Sequence, residues 1–528
     1  MDRVSSTALM KTVGLLRLRL VLPVPLPLLA LACVSEHGPL TNRMAQSATP
    51  YLARAAKQPV SWQPWSRDAF ALAARLDRPV LLYIGADDCR WCGVMDREVY
   101  GDPVLGAMID SLFVPVRVDR DERPDVAQRF ATAVQLLAGL RGYPITVFLT
   151  PDGAAFFGGT YFPLDDPVTG RGLKQLLPDV AKSYREQRAS VLRRAELIRQ
   201  LSLGRPAAAG VLNTARMQFE TAVVRDAVAA AARAGADLAT LRYIRAADLL
   251  LATYVRTTDS SYLGPARAVL AYIADSGEGG LAGAARDDPP EIQRAGWLRD
   301  LTVAWAATAD ARYRDASRAV ARRLAAEVAS TVDRTVFTDR DAYVISAVLD
   351  AAAALGDSGM VARSRATLDT LLRRVYARGR PVRHTIGGGG GGSSGRALLD
   401  DQVQVAWACL AAREATGAPR YLEIAQDLMV VLERDFADST SPGYFEAAAT
   451  DPAAPALIER TKPVLDDLLP AGNATAGRVL LRLADATGEA SYRRRAQAVV
   501  DALAASVTGA GLRASSYLAI AQDLLRSR

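Results

Sequence analysis

The chain has 528 residues, enough for two or three domains with substantial cores. With 50% hydrophobic and 23% charged residues it is ordinary globular material, not a disordered polymer. A formal charge of +7, carried mostly by arginines that alternate with acids, forms no basic stripe with aromatic platforms and excludes a nucleic-acid binder; four cysteines are too few for a disulfide-stapled scaffold.

Residues 1–40 stand apart. Arg3, Lys11, Arg17 and Arg19 precede an apolar run, Leu20 to Val34, with small residues Ala30 and Ala32 ahead of Cys33. This is the layout of a secretory signal, and the run is too short and proline-rich to span a bilayer. Export is one expectation, to the periplasm or, because Leu-Ala-Leu-Ala-Cys33 resembles an imperfect lipoprotein cleavage box, with a lipid anchor at Cys33. A cytoplasmic protein starting near Met44 is the alternative.

Pro50 to Trp65 is irregular, and Ser66 caps a helix running to Arg75. Val80–Ile84 reads as a buried strand, Trp91 to Asp110 as helix interrupted at Gly101-Asp102-Pro103, and Phe113–Val118 as a second strand. Cys89 and Cys92 thus fall where a strand ends and a helix begins. A charged connection, Asp119 to Asp125, leads to a helix over Val126–Leu137. A strand follows over Gly142–Leu149, introduced by Pro144; Thr150-Pro-Asp-Gly153 turns it into a return strand at Ala155–Phe157. Leu173 to Gln200 reads as one long helix closing the domain. A Cys-x-x-Cys at a strand–helix junction, a β-α-β unit and a proline before a later strand predict a thioredoxin-like α/β domain over 41–200.

Beyond Val211 the pattern is almost purely helical. Thr308 and Tyr313, Thr416 and Tyr421, and Thr487 and Tyr492 repeat one spacing, and Tyr262 opens a further helix of the same kind. These predict helical hairpins packed side by side over 208–528, an all-α toroid whose aromatics serve packing. Pro381 to Gly395, with six consecutive glycines, is expected to form no regular element and to be a flexible insertion on the toroid surface.

Five blocks carry a resemblance: Asn42 to Leu52, Pro59 to Trp65, Cys89 to Met95, Val118 to Asp125, and Phe157 to Pro163. In this order they resemble the DUF255 proteins, related to the spermatogenesis-associated thioredoxin-like proteins. The resemblance implies a thioredoxin-like domain followed by a toroid like that of six-hairpin glycosidases, and no settled activity. Members carry histidine within and just after the cysteine pair, where this chain has Arg90 and Gly93. In the second domain, members' histidines are missing from the stretch between Gly277 and Gly296.

The expected chemistry is dithiol–disulfide exchange with protein thiols or disulfides. Cys89, at the exposed start of the helix, is the expected nucleophile and Cys92, one turn in, the resolving thiol. Arg90 should favour the Cys89 thiolate, Asp87 and Asp88 should oppose it, and Trp91 offers an apolar surface to a partner. Tyr143 and Pro144, the latter resembling the cis-proline that faces the cysteines in thioredoxin-like folds, complete the expected binding surface. No cofactor is implied. With only His37 and His384, neither placed as a ligand or base, no metal centre is expected. A glycosidase would need two facing carboxylates; Glu291, Asp300, Asp339, Asp400 and Asp401 lie in the right region but read as solvated surface acids. Cys409 reads as core. The alternative function is a non-catalytic protein binding carbohydrate or peptide in the toroid, with a structural thioredoxin-like half.

Overall fold

A computed structural model describes residues 40–166, 168–169, 172–203, 213–275, 289–329, 336–387, 393–449 and 459–526. The targeting-like segment with Cys33 and His37 lies outside these residues, as do 276–288. Among the described residues no helix is long and apolar enough to cross a membrane.

Five strands form the first sheet: β1 (Gln63–Pro64), β2 (Val80–Gly85), β3 (Val114–Asp119), β4 (Ile145–Leu149) and β5 (Ala155–Gly159), in the order β1-β3-β2-β4-β5. β3 runs parallel to β1 and β2, whereas β4 is antiparallel to β2 and β5. Every residue of β2 is buried, as a central strand covered on both faces requires. Its side chains alternate between two cores. Leu81 and Tyr83 join α1 (Pro50–Arg54), α3 (Arg90–Glu98), α4 (Pro103–Leu112) and α6 (Leu173–Glu186). Val80, Leu82 and Ile84 join α2 (Arg67–Leu76) and α5 (Pro124–Ala138). Ser66 caps α2 through the Ala69 amide, and Asp102 caps α4 through the Leu105 amide at 2.7 Å. The expected single helix from Leu173 is instead two, α6 and α7 (Arg188–Leu203), broken at Gln187, where φ is −115° and ψ 32°. The break has a packing reason: Tyr184 stacks on Phe156 in one core while Ile198 enters the other, which a straight helix could not serve.

The second part is a closed ring. α9 (Leu241–Thr257), α11 (Pro290–Thr308), α13 (Thr338–Ala354), α15 (Leu399–Thr416), α17 (Gly472–Thr487) and α19 (Ser515–Arg526) each pack on the next, and α19 packs back on α9. Outside them lie α8 (Thr214–Arg233), α10 (Ser260–Asp275), α12 (Ala311–Ala329), α14 (Ser358–Val375), α16 (Pro419–Asp435) and α18 (Ala490–Leu503). The result is an α/α toroid. Its Thr–Tyr spacing has a local cause at four of the inner-to-outer turns. Thr257, Thr308, Thr416 and Thr487 donate to the carbonyl four residues back, at 2.8, 2.7, 2.6 and 2.7 Å. The same hydroxyls accept the amide two residues on, so one side chain satisfies a helix-end carbonyl and the first turn amide. The next residue is left-handed in every case: Thr258, Ala309, Gly417 and Gly488 have φ of 56°, 57°, 74° and 76°. Tyr421, at the start of α16, is fully buried, and Cys409 is buried core in α15 with its thiol pushed up by burial.

The segment 381–395 is not the expected structureless surface insertion. Thr385–Ile386 forms β7 and Ser393–Ser394 forms β8, in a small antiparallel sheet with β6 (Val336–Phe337). His384, Thr385 and Ile386 are buried. The expectation failed because glycine content reports backbone freedom and not what the flanking residues pack against; residues 388–392 lie outside the description.

Candidate active site

β2 ends at Gly85, and the chain turns through Ala86-Asp87-Asp88 into α3, whose N-cap is Cys89. Cys89 and Cys92 are joined as a disulfide, and the Cys92 amide donates to Cys89 Sγ at 3.2 Å. An amide of the helix's first turn, aimed at Sγ, together with the positive end of the helix, favours a thiolate once the bond is reduced. Pairing of Ile84 with Ile145 brings the start of β4 beside this turn. The Tyr143–Pro144 peptide there is cis, and Tyr143 packs against Ala86 and the cysteines.

Two expectations about the pair need correction. Cys89 is not exposed: it retains 3% of its surface and Cys92 none, because Ala86 and Tyr143 pack over them. Asp87 and Asp88 do not oppose Cys89 as free charges, since Asp87 is ion-paired with Arg54 and Asp88 with Arg120 at 2.7 Å. Arg120 also lies over the Tyr143 ring, 5.1 Å from its centroid. Arg90 is exposed, 6.0 Å from the indole of Trp91. Trp91 itself is 53% exposed and meets the Tyr161 ring at 5.1 Å, forming an aromatic shelf beside the pair.

A buried charge behind the disulfide was invisible in the sequence. Arg117 of β3 is 1% exposed and bonds Asp96 of α3 through both carboxylate oxygens at 2.7 Å. Its guanidinium lies 4.5 Å from the Tyr51 ring centroid and 4.9 Å from that of Tyr83. The Tyr83 hydroxyl donates to the Cys92 carbonyl at 3.3 Å, which ties β2 to the first turn of α3. Burial pushes both phenols up, so they stay protonated. Gly85 is required here, because a Cβ would stand 2.0 Å from Tyr51 Oη and 3.2 Å from Cys92 Sγ. We expect Gly85→Ala to cost about 1–3 kcal/mol in urea unfolding, as overpacking against a rigid core does.

The connection after β3 joins this site to the toroid. Asp121 accepts from Arg120 at 3.0 Å and from Arg340 of α13 at 2.6 Å, and its backbone carbonyl accepts from His384 Nε2 at 2.8 Å. His384 Nδ1 meets Asp401 at 2.9 Å and Asp339 at 3.7 Å. Nearby, Asp125 binds Arg396 at 3.0 Å, and Glu459 binds both Arg129 and Arg199. His384 is therefore not an idle residue beside the glycines. Burial alone would lower its pKa, yet the carboxylates of Asp401 and Asp339 hold it at about 10, an imidazolium donating from both nitrogens. Those three side chains are close enough to hold a cation, but hydrogen bonds already close the set: Asp401 takes His384 on one oxygen and the Leu398 amide, at 3.1 Å, on the other.

Nor are the toroid acids solvated. Asp300, Asp339 and Asp401 are 1%, 6% and 0% exposed; Asp400 and Glu291 are half-buried. Asp300 is buried because ring closure turns polar positions of the inner helices toward a common axis, and Asp339 and Asp401 because they close on His384; no local pattern announces either.

Residues 41–202 match the family described as "Protein of unknown function, DUF255". Human spermatogenesis-associated protein 20 is 35% identical over 164 residues, covering 31% of this chain and 21% of that protein. The mouse protein of the same name is 33% identical over 183 residues, covering 33% and 23%. The matched region is thus about a fifth to a quarter of those relatives' length. Among solved structures, the unsaturated glucuronyl hydrolase of Bacillus sp. GL1 aligns with 55% of this chain and 86% of its own, at 14% identity and a TM-score of 0.42. Residues 41–202 are a DUF255 domain of thioredoxin-like fold, here followed by an α/α toroid.

Proposed function

We propose that the protein is a thiol–disulfide oxidoreductase acting on protein thiols or disulfides through Cys89 and Cys92. The observation that carries this is the bonded pair at the N-terminus of α3, with the Cys92 amide on Cys89 Sγ and the Trp91–Tyr161 shelf beside it. In the reducing direction, the Cys89 thiolate attacks a partner disulfide, forming a mixed disulfide and releasing one partner thiolate. Cys92 then loses its proton and attacks Cys89 Sγ, which releases the second partner thiol. The pair gives up two electrons and the partner disulfide takes them; the oxidising direction is the reverse. Cys89 is the attacked and attacking sulfur because it alone keeps any exposure and receives the helix amide.

The test equilibrates the full chain with glutathione buffers of graded potential and quenches with a thiol alkylator. We expect one two-electron transition involving Cys89 and Cys92, and catalysed reduction or oxidation of a disulfide-bearing protein at rates above those of the buffer. A pair that stays bonded in native protein across the accessible range, or that reacts no faster than an ordinary thiol of pKa about 8.5, rules the activity out.

A further inference from the structure

Cys92 must carry a negative charge to close the disulfide, yet none of its surface is exposed. Burial drives a thiol well up, as it does at Cys409. A donor behind the pair would offset that, and the packing over Gly85 supplies one. Tyr51 lies in the first turn of α1, which Thr49 caps by accepting the Leu52 amide at 3.4 Å. Its hydroxyl ends over Gly85: a Cβ on that glycine would stand 2.0 Å from Tyr51 Oη and 3.2 Å from Cys92 Sγ. Phenol and sulfur thus share the space that a side chain would fill. Tyr51 is 3% exposed, and its Oη has no hydrogen-bond partner among the described residues. The neighbouring Tyr83 hydroxyl is committed to the Cys92 carbonyl. A buried hydroxyl left open is costly, and the sulfur beside it, while bonded to Cys89, is only a weak acceptor.

We propose that Tyr51 is the positioning residue for the resolving thiol, its hydroxyl donating to Cys92 Sγ once the pair is reduced. The role rests on the exchange chemistry proposed above and names the group that serves its second step. Reduction places charge on Sγ and turns a weak acceptor into a strong one. The Arg117 guanidinium, 4.5 Å from the Tyr51 ring centroid, makes the phenol a better donor. Tyr51 keeps its proton throughout. Cys92 gives its own to solvent and attacks Cys89 Sγ; the bond from Cys89 to the partner breaks. The departing partner sulfur takes that electron pair and a proton from solvent, leaving as a thiol. Of the charged groups acting on Tyr51, Arg117 favours a thiolate beside it, whereas Asp96 and Asp119 oppose one. All three remain when the hydroxyl alone is removed.

The test mixes the reduced full chain with oxidised glutathione, quenches with acid over time and reads the products by mass. This follows a glutathionyl adduct on Cys89 as it forms and as it decays to the Cys89–Cys92 disulfide. Tyr51→Phe should slow the decay about tenfold at pH 7 and move its pH midpoint up by about one unit, with adduct formation unchanged. Tyr100→Phe, which takes another fully buried hydroxyl from the same core, should change neither. Equal decay in parent and Tyr51→Phe, or equal slowing by both variants, would overturn the assignment and leave the exchange reading intact. No adduct on the parent would end both. Should Tyr51→Phe fail to fold, the parent decides: a decay midpoint at or below the value of about 8.5 for an ordinary thiol supports the donor, and one above it overturns the assignment.

Discussion

Cys89→Ser should lose disulfide exchange by at least about 100-fold, whereas Cys92→Ser should keep the first chemical step and accumulate mixed disulfides with its partners. The asymmetry follows from position. Cys89 Sγ sits at the helix N-cap, receives the Cys92 amide at 3.2 Å and keeps 3% exposure; Cys92 has none and lies against Gly85. A serine at 92 leaves that amide in place, so the Cys89 thiolate keeps its stabilising donor while losing the thiol that would resolve the complex. The readout is a reductant-sensitive, higher-mass band from extract with Cys92→Ser and none with Cys89→Ser. Equal trapping by both variants would mean that the roles are not divided this way. Trp91→Ala, by removing half of the aromatic shelf with Tyr161, should lower the yield of trapped partners without slowing alkylation of reduced Cys89 by a small reagent.

The parts of this site that sequence revealed are those whose chemistry is local. β2, the Cys89 turn, the first turn of α3 and the proline before β4 are short patterns that neighbours in the chain enforce, and the threonine of the Thr–Tyr spacing is a capping device complete within seven residues. What stayed hidden are groups completed by distant partners. Arg117 reads as one arginine in a strand until Asp96, 21 residues away, closes on it beneath Tyr51 and Tyr83. His384 reads as a surface residue beside glycines until the Asp121 carbonyl, 263 residues earlier, accepts its proton. Exposure failed for a similar reason: a helix start is open in sequence terms, but packing of Tyr143 over Cys89 depends on how β4 pairs with β2. Polar residues of the inner helices read as surface because their periodicity cannot tell solvent from a ring's interior.

His384→Asn should destabilise the protein by about 3 kcal/mol near pH 6, because it strands buried Asp401 and Asp339 without their cation. It should also change how stability depends on pH. The folded pKa of about 10 lies above the 6.5 of the free side chain, so the histidine's contribution is complete below pH 6.5 and is lost as pH rises toward 10. Buried acids work in the same direction lower down: Asp119 and Glu446 titrate at about 7 and Asp400 at about 8, each raised chiefly by burial, and each loses stability as pH climbs to those values. From about pH 8 the buried Cys409 thiol, ordinarily of pKa about 8.5, adds its own slope in the same direction. Between pH 8 and 9, then, the unfolded chain has released the proton that folded His384 still holds, and unfolding free energy should fall by at least about 1.4 kcal/mol per pH unit. Urea unfolding at pH 6, 8 and 9 measures this directly. In His384→Asn the stability at pH 6 should drop and the fall between pH 8 and 9 should flatten. A variant as stable as the parent at pH 6, with the same slope above pH 8, would show that the imidazolium does not hold the DUF255 domain to the toroid.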